Sequence, residues 1–148
     1  MKGLGAIPDE ALAPRQSGAW HRISAEAGHL RCELFNRQTA EETRKFLEAV
    51  LAGAKEHRLP LVLIRVRNSV PIFTIERYGL SDYLDRAFRS KYRIALVGDT
   101  AELRIAQQYI ATIARMRGVR LRAFGDEAGA VAWLRSGDAP AAESGRAE

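Results

Sequence analysis

Apolar and polar residues alternate with a period of two in five short stretches of the chain. Such alternation, rich in branched and aromatic side chains and interrupted by glycine, proline or asparagine, predicts β-strands. The predicted strands are Trp20 to Ala25, Leu30 to Phe35, Leu61 to Arg67, Tyr92 to Gly98 and Val119 to Phe124. Only a short turn at Gly28 separates the first two strands, so we expect them to form an antiparallel hairpin.

Apolar residues at helical spacing fill the intervals between the later strands. Thr39 and Glu42 have the spacing of a capping box, which predicts the start of the first helix. Asp99 or Thr100 is expected to open a helix after the fourth strand, and Asp126 to cap a last helix after the fifth.

The interval from Asn68 to Arg89 is less regular than the other helical intervals. Pro71 suits a helix start, Gly79 interrupts the pattern, and Ser81 is able to cap a second short helix. We therefore expect a broken helix, or two turns of helix joined by a bend.

Strands that alternate with helices predict right-handed crossovers and a mainly parallel sheet. The fold class is thus α/β: one domain with a four- or five-stranded, mostly parallel sheet, an N-terminal antiparallel hairpin and helices mainly on one face. The length of 148 residues fits a single domain. We place this domain at residues 17–137, between a flexible arm at residues 1–16 and a disordered tail at residues 138–148.

Arginine recurs at the polar positions of the predicted strands. Because side chains alternate between the two faces of a strand, these arginines point away from the face that the helices cover. We expect a basic second face that is solvated, or covered in part by the arm, the broken helix or another subunit. The arginines of this predicted interaction surface are Arg65, Arg67, Arg93, Arg120 and Arg122.

The net charge of +5 favours acidic partners without defining one. A nucleic-acid partner is not favoured, because no stacking aromatic residues interleave with Arg65, Arg93 and Arg120. The single cysteine, Cys32, excludes an internal disulfide and is compatible with a reducing compartment. Neither a secretory signal nor a run of about 20 apolar residues is present, so we predict a cytoplasmic protein with no membrane span.

The segment RIALVGD, a following helix and the segment RGVRLRAFGDEAGAVAWL together resemble the C-terminal half of SpoIIAA-like proteins of the STAS superfamily. The matching parts are Arg93 to Gly98, Val119 to Phe124 and Ala130 to Leu134, and the resemblance extends over roughly residues 18 to 136. It implies a small regulatory or protein-interaction domain, some relatives of which bind small or lipidic ligands.

The resemblance also implies a role for Ser69. In anti-sigma antagonists a phosphorylatable serine follows the third strand within an Asp-Ser pair, and here Asn68 and Ser69 occupy that place. Ser69 is therefore either a phosphosite at a helix N-terminus or a turn and capping hydroxyl ahead of Pro71.

A ligand site is expected where the strands end, because α/β sheets bind ligands at the carboxyl edge. The apolar segment Val70 to Tyr83 is either the lid of a hydrophobic pocket or ordinary core. The candidate ligand-binding residues are Asn68, Ser69, Phe73, Tyr78, Asp99 and Thr100.

The sequence contains no residue pattern that is typical of a catalytic site or of a metal site. His21, His29 and His57 lack ligand spacing, and Cys32 alternates with apolar neighbours as a core residue does. We therefore predict no enzyme, no metal and no cofactor.

Two functions remain. The first is a non-catalytic regulatory or protein-interaction module that binds a protein partner or itself. The second is a carrier or sensor of a small apolar or anionic ligand. An enclosed cavity of at least about 300 Å³ beneath Phe73 and Tyr78 would favour the carrier, and a filled core the module.

Overall fold

A computed structural model describes residues 18–75, 78–89 and 91–136 of the protein. These residues form one sheet of five strands in the order β1-β2-β3-β4-β5. β1 pairs with β2 in antiparallel orientation, and all later pairs are parallel, as predicted. The strands are β1 (Trp20–Ala25), β2 (Leu30–Phe35), β3 (Leu61–Arg67), β4 (Arg93–Gly98) and β5 (Arg120–Phe124).

The helices are α1 (Ala40–His57), α2 (Leu80–Phe88), α3 (Ala101–Met116) and α4 (Glu127–Ser136). α1 begins at the predicted capping box, in which Thr39 Oγ1 accepts from the Glu42 amide at 3.2 Å and the Glu42 carboxylate accepts from the Thr39 amide at 3.0 Å. α4 begins where Asp126 accepts a hydrogen bond from the Gly129 amide at 2.8 Å, also as predicted.

The main core lies between one face of the sheet and α1, α2 and α3. Each of these helices connects two adjacent parallel strands, and right-handed crossovers in the same direction place them on the same face. The apolar positions of the strands point into this core, as the alternation predicted. Fully buried strand residues there include Leu30, Cys32, Val62, Ile94 and Leu121.

A second, smaller core lies on the opposite face, beneath α4. Ala130 and Leu134 of α4 pack there against Leu63, Ala95 and Val97 of the central strands. α4 follows the last strand and needs no crossover, so it is able to fold onto the face that the other helices leave open. The prediction of helices mainly on one face is therefore confirmed, with α4 as the exception.

The predicted broken helix between β3 and β4 is wrong in its first half. Residues 71–74 have no regular structure, and the helix in this interval begins only at Leu80. Its N-cap is Gly79, with φ of 74°, in place of Ser81. Ser81 is buried within α2, where its hydroxyl accepts a hydrogen bond from Arg117 Nη1 at 3.1 Å.

The predicted arm at residues 1–16 and the predicted tail at residues 138–148 lie outside the described residues. Within the described part of the chain, no helix is both long enough and apolar enough to cross a membrane.

Candidate functional site

Hydrogen bonds join the ends of three neighbouring strands at the carboxyl edge of the sheet. The Asn68 amide donates to Asp99 Oδ2 at 3.2 Å, which links the end of β3 to the end of β4. Asn68 Nδ2 donates to Asn36 Oδ1 at 2.7 Å, which links β3 to β2. Asn68 and Asn36 both have positive φ, a conformation that asparagine tolerates better than most residues. Two of the candidate ligand residues, Asn68 and Asp99, are thus engaged with each other.

Ser69 is held by two hydrogen bonds within the same edge. Its hydroxyl donates to the Arg67 carbonyl at 2.9 Å and accepts from the Arg37 amide at 3.0 Å. No helix begins at Ser69, because the chain continues without regular structure as far as Ile75. The structure therefore gives this hydroxyl a bridging role between the ends of β2 and β3.

Thr100 is the residue that caps α3. Its hydroxyl accepts a hydrogen bond from the Leu103 amide at 3.1 Å. Asp99 is not the cap, since its carboxylate faces Asn68 instead. The sequence left Asp99 and Thr100 as alternative caps. Thr100 is the cap because its side chain, unlike that of Asp99, is free to turn back onto the helix.

The segment after Ser69 divides into an outward and an inward set of apolar side chains. Val70, Phe73 and Tyr78 are exposed by 50%, 45% and 51% of their surface. Ile72 and Ile75 point inward and line the main core. Phe73 and Tyr78 therefore lie on the surface, and neither covers a cavity.

The main core contains one apolar cavity of about 70 Å³ among the described residues. It lies between the sheet and the helices α1, α2 and α3, and its walls include Ile72, Ile75 and Leu96. This volume is well below the roughly 300 Å³ that a pocket for a drug-sized ligand needs. The size of the cavity therefore favours a largely filled core.

Two buried polar side chains line this cavity, and neither was predicted from the sequence. Arg37 is 6% exposed and Gln107 is 3% exposed. Arg37 follows β2 in a short loop, where no periodicity marks a buried position. Gln107 lies between Leu103 and Ala111 on the buried face of α3, so helical spacing was the signal that could have found it. A buried arginine is recognisable only when the segment around Val70, which packs over it, is in place.

Arg37 keeps a positive charge inside the protein. Its Nη1 donates to Thr43 Oγ1 at 3.3 Å, and its Nη2 donates to the Val70 carbonyl. No carboxylate lies within 4 Å of the guanidinium among the described residues. Burial lowers the pKa of Arg37 to about 10, so the group is still charged at neutral pH.

The arginines of the opposite face have a structural role beneath α4. Glu127, in the first turn of α4, accepts hydrogen bonds from Arg31 Nε at 2.7 Å and from Arg65 Nη1 at 2.9 Å. Arg93 Nη1 donates to the Leu134 carbonyl at the other end of α4 at 3.0 Å. Arg65 and Arg93 therefore hold α4 onto the sheet and are half-buried.

The other three arginines of the predicted interaction surface are exposed beside α4: Arg67, Arg120 and Arg122. Aromatic rings lie beside Arg67 and Arg122, and the Trp133 ring also lies 5.6 Å from the Arg93 guanidinium, where the sequence-based expectation placed no stacking aromatic residue. The Arg67 guanidinium lies 5.7 Å from the centre of the Phe35 ring, and that of Arg122 lies 5.8 Å from the Trp133 ring. The arginines themselves occupy these ring faces, because a guanidinium packs favourably over an aromatic ring.

A metal-binding cluster is absent from the described residues. No three His, Cys, Asp or Glu side chains there are close enough together to hold a metal ion. Cys32 is buried in the main core, and burial raises the pKa of its thiol to about 12, which suppresses the thiolate.

The chain was compared with known proteins through family models, curated sequences and solved structures. No family model and no curated protein matches it. A solved anti-sigma factor antagonist from Mycobacterium paratuberculosis resembles it with a TM-score of 0.54 over 79% of this chain and 94% of that one. The chain has a STAS-like fold. The identity to this antagonist is 10%, so the likeness concerns the fold, and it confirms the resemblance found in the sequence.

Proposed function

We propose that the protein is a non-catalytic regulatory module that acts by binding a protein partner. Three observations support the proposal. The fold is shared with an anti-sigma factor antagonist, the described residues hold no cluster able to bind a metal ion, and three large apolar side chains that are near one another in the chain are exposed. The free thiol of Cys32 is consistent with a reducing compartment, and we place the protein in the cytoplasm.

The observation that carries the proposal is the exposed cluster of Val70, Phe73 and Tyr78. Half of each of these side chains is in contact with solvent, although the chain has a core able to bury apolar residues. Exposed aromatic residues that lie close together in the chain are typical of binding surfaces, where Phe and Tyr are enriched. We therefore assign the partner contact to this segment, which we call the 70–78 surface.

Ser69 adjoins the 70–78 surface and provides a means of regulating it. Its hydroxyl forms hydrogen bonds with the Arg67 carbonyl and the Arg37 amide, and these two bonds fix the position of the start of the segment. A phosphate on Ser69 would remove the proton that its hydroxyl donates to the Arg67 carbonyl, and it would place negative charge beside Val70. We propose that such a modification weakens partner binding.

Site-specific photo-crosslinking in cells of the native host tests the proposal. A photoreactive amino acid replaces Tyr78, and the matched control carries it at Glu56, which is exposed on α1. We expect a crosslinked product of one defined mass from position 78 and none of that mass from position 56. A product of twice the chain mass would identify the partner as a second copy.

Three variants make this experiment decisive. Phe73→Asp should reduce the yield of the crosslinked product by about 30-fold, because removal of a central aromatic contact costs an interface about 2 kcal/mol or more. Ser69→Asp should reduce it more than Ser69→Ala does, because alanine removes the two hydrogen bonds of the hydroxyl without adding negative charge. If the same product forms from position 56, or survives Phe73→Asp unchanged, the 70–78 surface is not the binding site.

A further inference from the structure

We propose that the cavity of the main core is a binding site for a short-chain monocarboxylate, whose carboxylate contacts Arg37 and Gln107. This site differs from the 70–78 surface and does not depend on the proposed protein partner.

The first argument is the charge of Arg37, which no carboxylate contacts directly among the described residues and which Glu42 offsets only in part from a distance. A buried charge is stable only when it is paired or fully hydrogen-bonded, because it has lost its hydration. The two terminal nitrogens of Arg37 donate to the neutral acceptors Thr43 Oγ1 and the Val70 carbonyl, and its Nε has no partner. An anion in the cavity would supply both the missing charge and the missing acceptor.

The second argument is the unpaired amide of Gln107. Neither its nitrogen nor its oxygen has a hydrogen-bond partner, although both atoms are buried. Gln107 is held against the end of β4, where a methyl group added to Gly98 would lie 3.1 Å from Gln107 Oε1. An amide fixed in this position costs stability unless a ligand or water bonds to it. Its NH₂ group is a suitable donor to a second carboxylate oxygen.

The third argument is the size and character of the remaining walls. Apart from Arg37, Thr43 and Gln107, every side chain that lines the cavity is apolar. Its volume of about 70 Å³ is roughly half that of an engineered cavity of about 150 Å³ that holds benzene. The ligand should therefore contain about three to five heavy atoms, with one charged end and a short apolar tail.

The charge of Arg37, the unpaired amide of Gln107 and the apolar walls together favour a carboxylate over phosphate or water. Phosphate would place unpaired oxygens against the apolar walls, at the cost of burying polar atoms without partners. Water would satisfy the amide of Gln107 but leave the charge of Arg37 uncompensated. A small carboxylate satisfies both groups and fills the apolar part of the cavity.

Nuclear magnetic resonance titration of the full chain with sodium propionate tests the proposal, with propionamide as the neutral ligand of the same shape. We expect saturable shifts of the Arg37 and Gln107 side-chain signals with propionate. Propionamide should bind about tenfold more weakly or not at all, because it lacks the charge that strengthens the hydrogen bonds. Sodium chloride at equal ionic strength controls for non-specific anion effects.

Two variants at the site and one control complete the test. Gln107→Leu keeps the fold and should weaken propionate binding several-fold, and Arg37→Met should abolish it. Arg86→Met removes an exposed cation on α2 and should leave it unchanged. The proposal is overturned if propionate and propionamide shift the same signals to the same extent, if no saturable shift occurs, or if Gln107→Leu binds propionate as tightly as the unaltered protein.

Discussion

Gly98 shows how a single residue fixes the distance between a strand and a helix. It is the last residue of β4, and α3 packs directly over it. A Cβ atom at this position would lie 2.9 Å from the Cβ of Leu103 and 3.1 Å from Gln107 Oε1. The absence of a side chain therefore permits the close approach of α3, since real Cβ atoms do not come this near to one another.

Gly98→Ala should destabilise the protein by about 1 to 3 kcal/mol, because α3 must move to accommodate the new methyl group. Urea unfolding of the variant and the unaltered protein measures the difference. Gly125→Ala is the matched control, since a Cβ there meets nothing within 4 Å. A Gly98→Ala protein as stable as the Gly125→Ala protein would show that the contact with α3 does not require glycine.

His29 is a polar residue that is buried without a hydrogen bond to its side chain. It is buried in the turn between β1 and β2, and neither ring nitrogen has a hydrogen-bond partner. Burial lowers the pKa of His29 below its usual value of 6.5, and the nearby Glu26 only partly opposes this.

His29 should make the protein less stable as the pH falls below 6.5. In that range the unfolded chain takes up a proton that the folded protein does not, at a cost of at most about 1.4 kcal/mol per pH unit. Thermal unfolding between pH 7.5 and pH 5.5 should show a smaller loss for His29→Gln than for the unaltered protein. The exposed replacement His57→Gln should keep the full loss, and a His29→Gln protein with the same slope as the unaltered one would contradict the prediction.

At the scale of elements, α4 is attached to the sheet by polar groups at both ends and apolar groups between them. Glu127 binds Arg31 and Arg65 at its start, Arg93 binds the Leu134 carbonyl near its end, and Leu134 is buried between. The carboxylate also lies at the positive end of the helix dipole. This arrangement explains why strands that lie beneath a helix carry arginine on the covered face.

Glu127→Gln should destabilise the protein by about 1 to 2 kcal/mol, a value below that of a fully buried ionic contact because solvent reaches the pair. The hydrogen bond from Arg31 holds the pKa of Glu127 below its usual 4.5, so this stabilisation is complete above pH 4.5 and is lost as the pH falls through the folded value. Urea unfolding of this variant and of the unaltered protein should therefore show a larger difference in stability at pH 7 than at pH 3. The control variant Glu56→Gln changes an exposed residue of α1 and should show no loss of stability at either pH. An unchanged stability of Glu127→Gln at pH 7 would refute the role of this contact.

At the scale of the whole molecule, the sheet separates two cores that share its strands. β3 and β4 contribute one set of side chains to the main core and the other set to the core beneath α4. Neither core is complete without these strands, so the described domain is expected to unfold as one cooperative unit. The reactivity of Cys32 is a suitable measure of this unfolding, because the side chain is fully buried in the main core.

Alkylation of Cys32 should require global unfolding. Iodoacetamide should modify Cys32 slowly in buffer and rapidly in denaturant, with rates that differ by several orders of magnitude. In the folded protein both the burial of the thiol and its raised pKa of about 12 suppress the reaction. Mass spectrometry of labelled protein measures the rates. Glu56→Cys combined with Cys32→Ala gives an exposed thiol that should react at once, and comparable rates for the two thiols in buffer would show that the main core opens locally.

Local signals allowed much of the fold to be predicted. The strand limits match the alternating stretches within a residue, and the Thr39 and Asp126 caps act as expected, because periodicity and capping depend on residues that are neighbours in the chain. The candidate site was less accessible to this reasoning. Phe73 and Ile72 are adjacent apolar residues of an irregular segment, and nothing local shows which of them faces outward.

The sequence by itself determined the order of the strands and of the three helices α1, α3 and α4, the hairpin, and the orientation of the strand arginines away from the main core. Only the tertiary structure decided that α4 covers those arginines, that Thr100 and not Asp99 caps α3, and that Arg37 is buried beside Gln107. The first group depends on hydrogen bonds and burial patterns within short segments. The second depends on which distant segments come into contact, and that is settled only when the layers pack together.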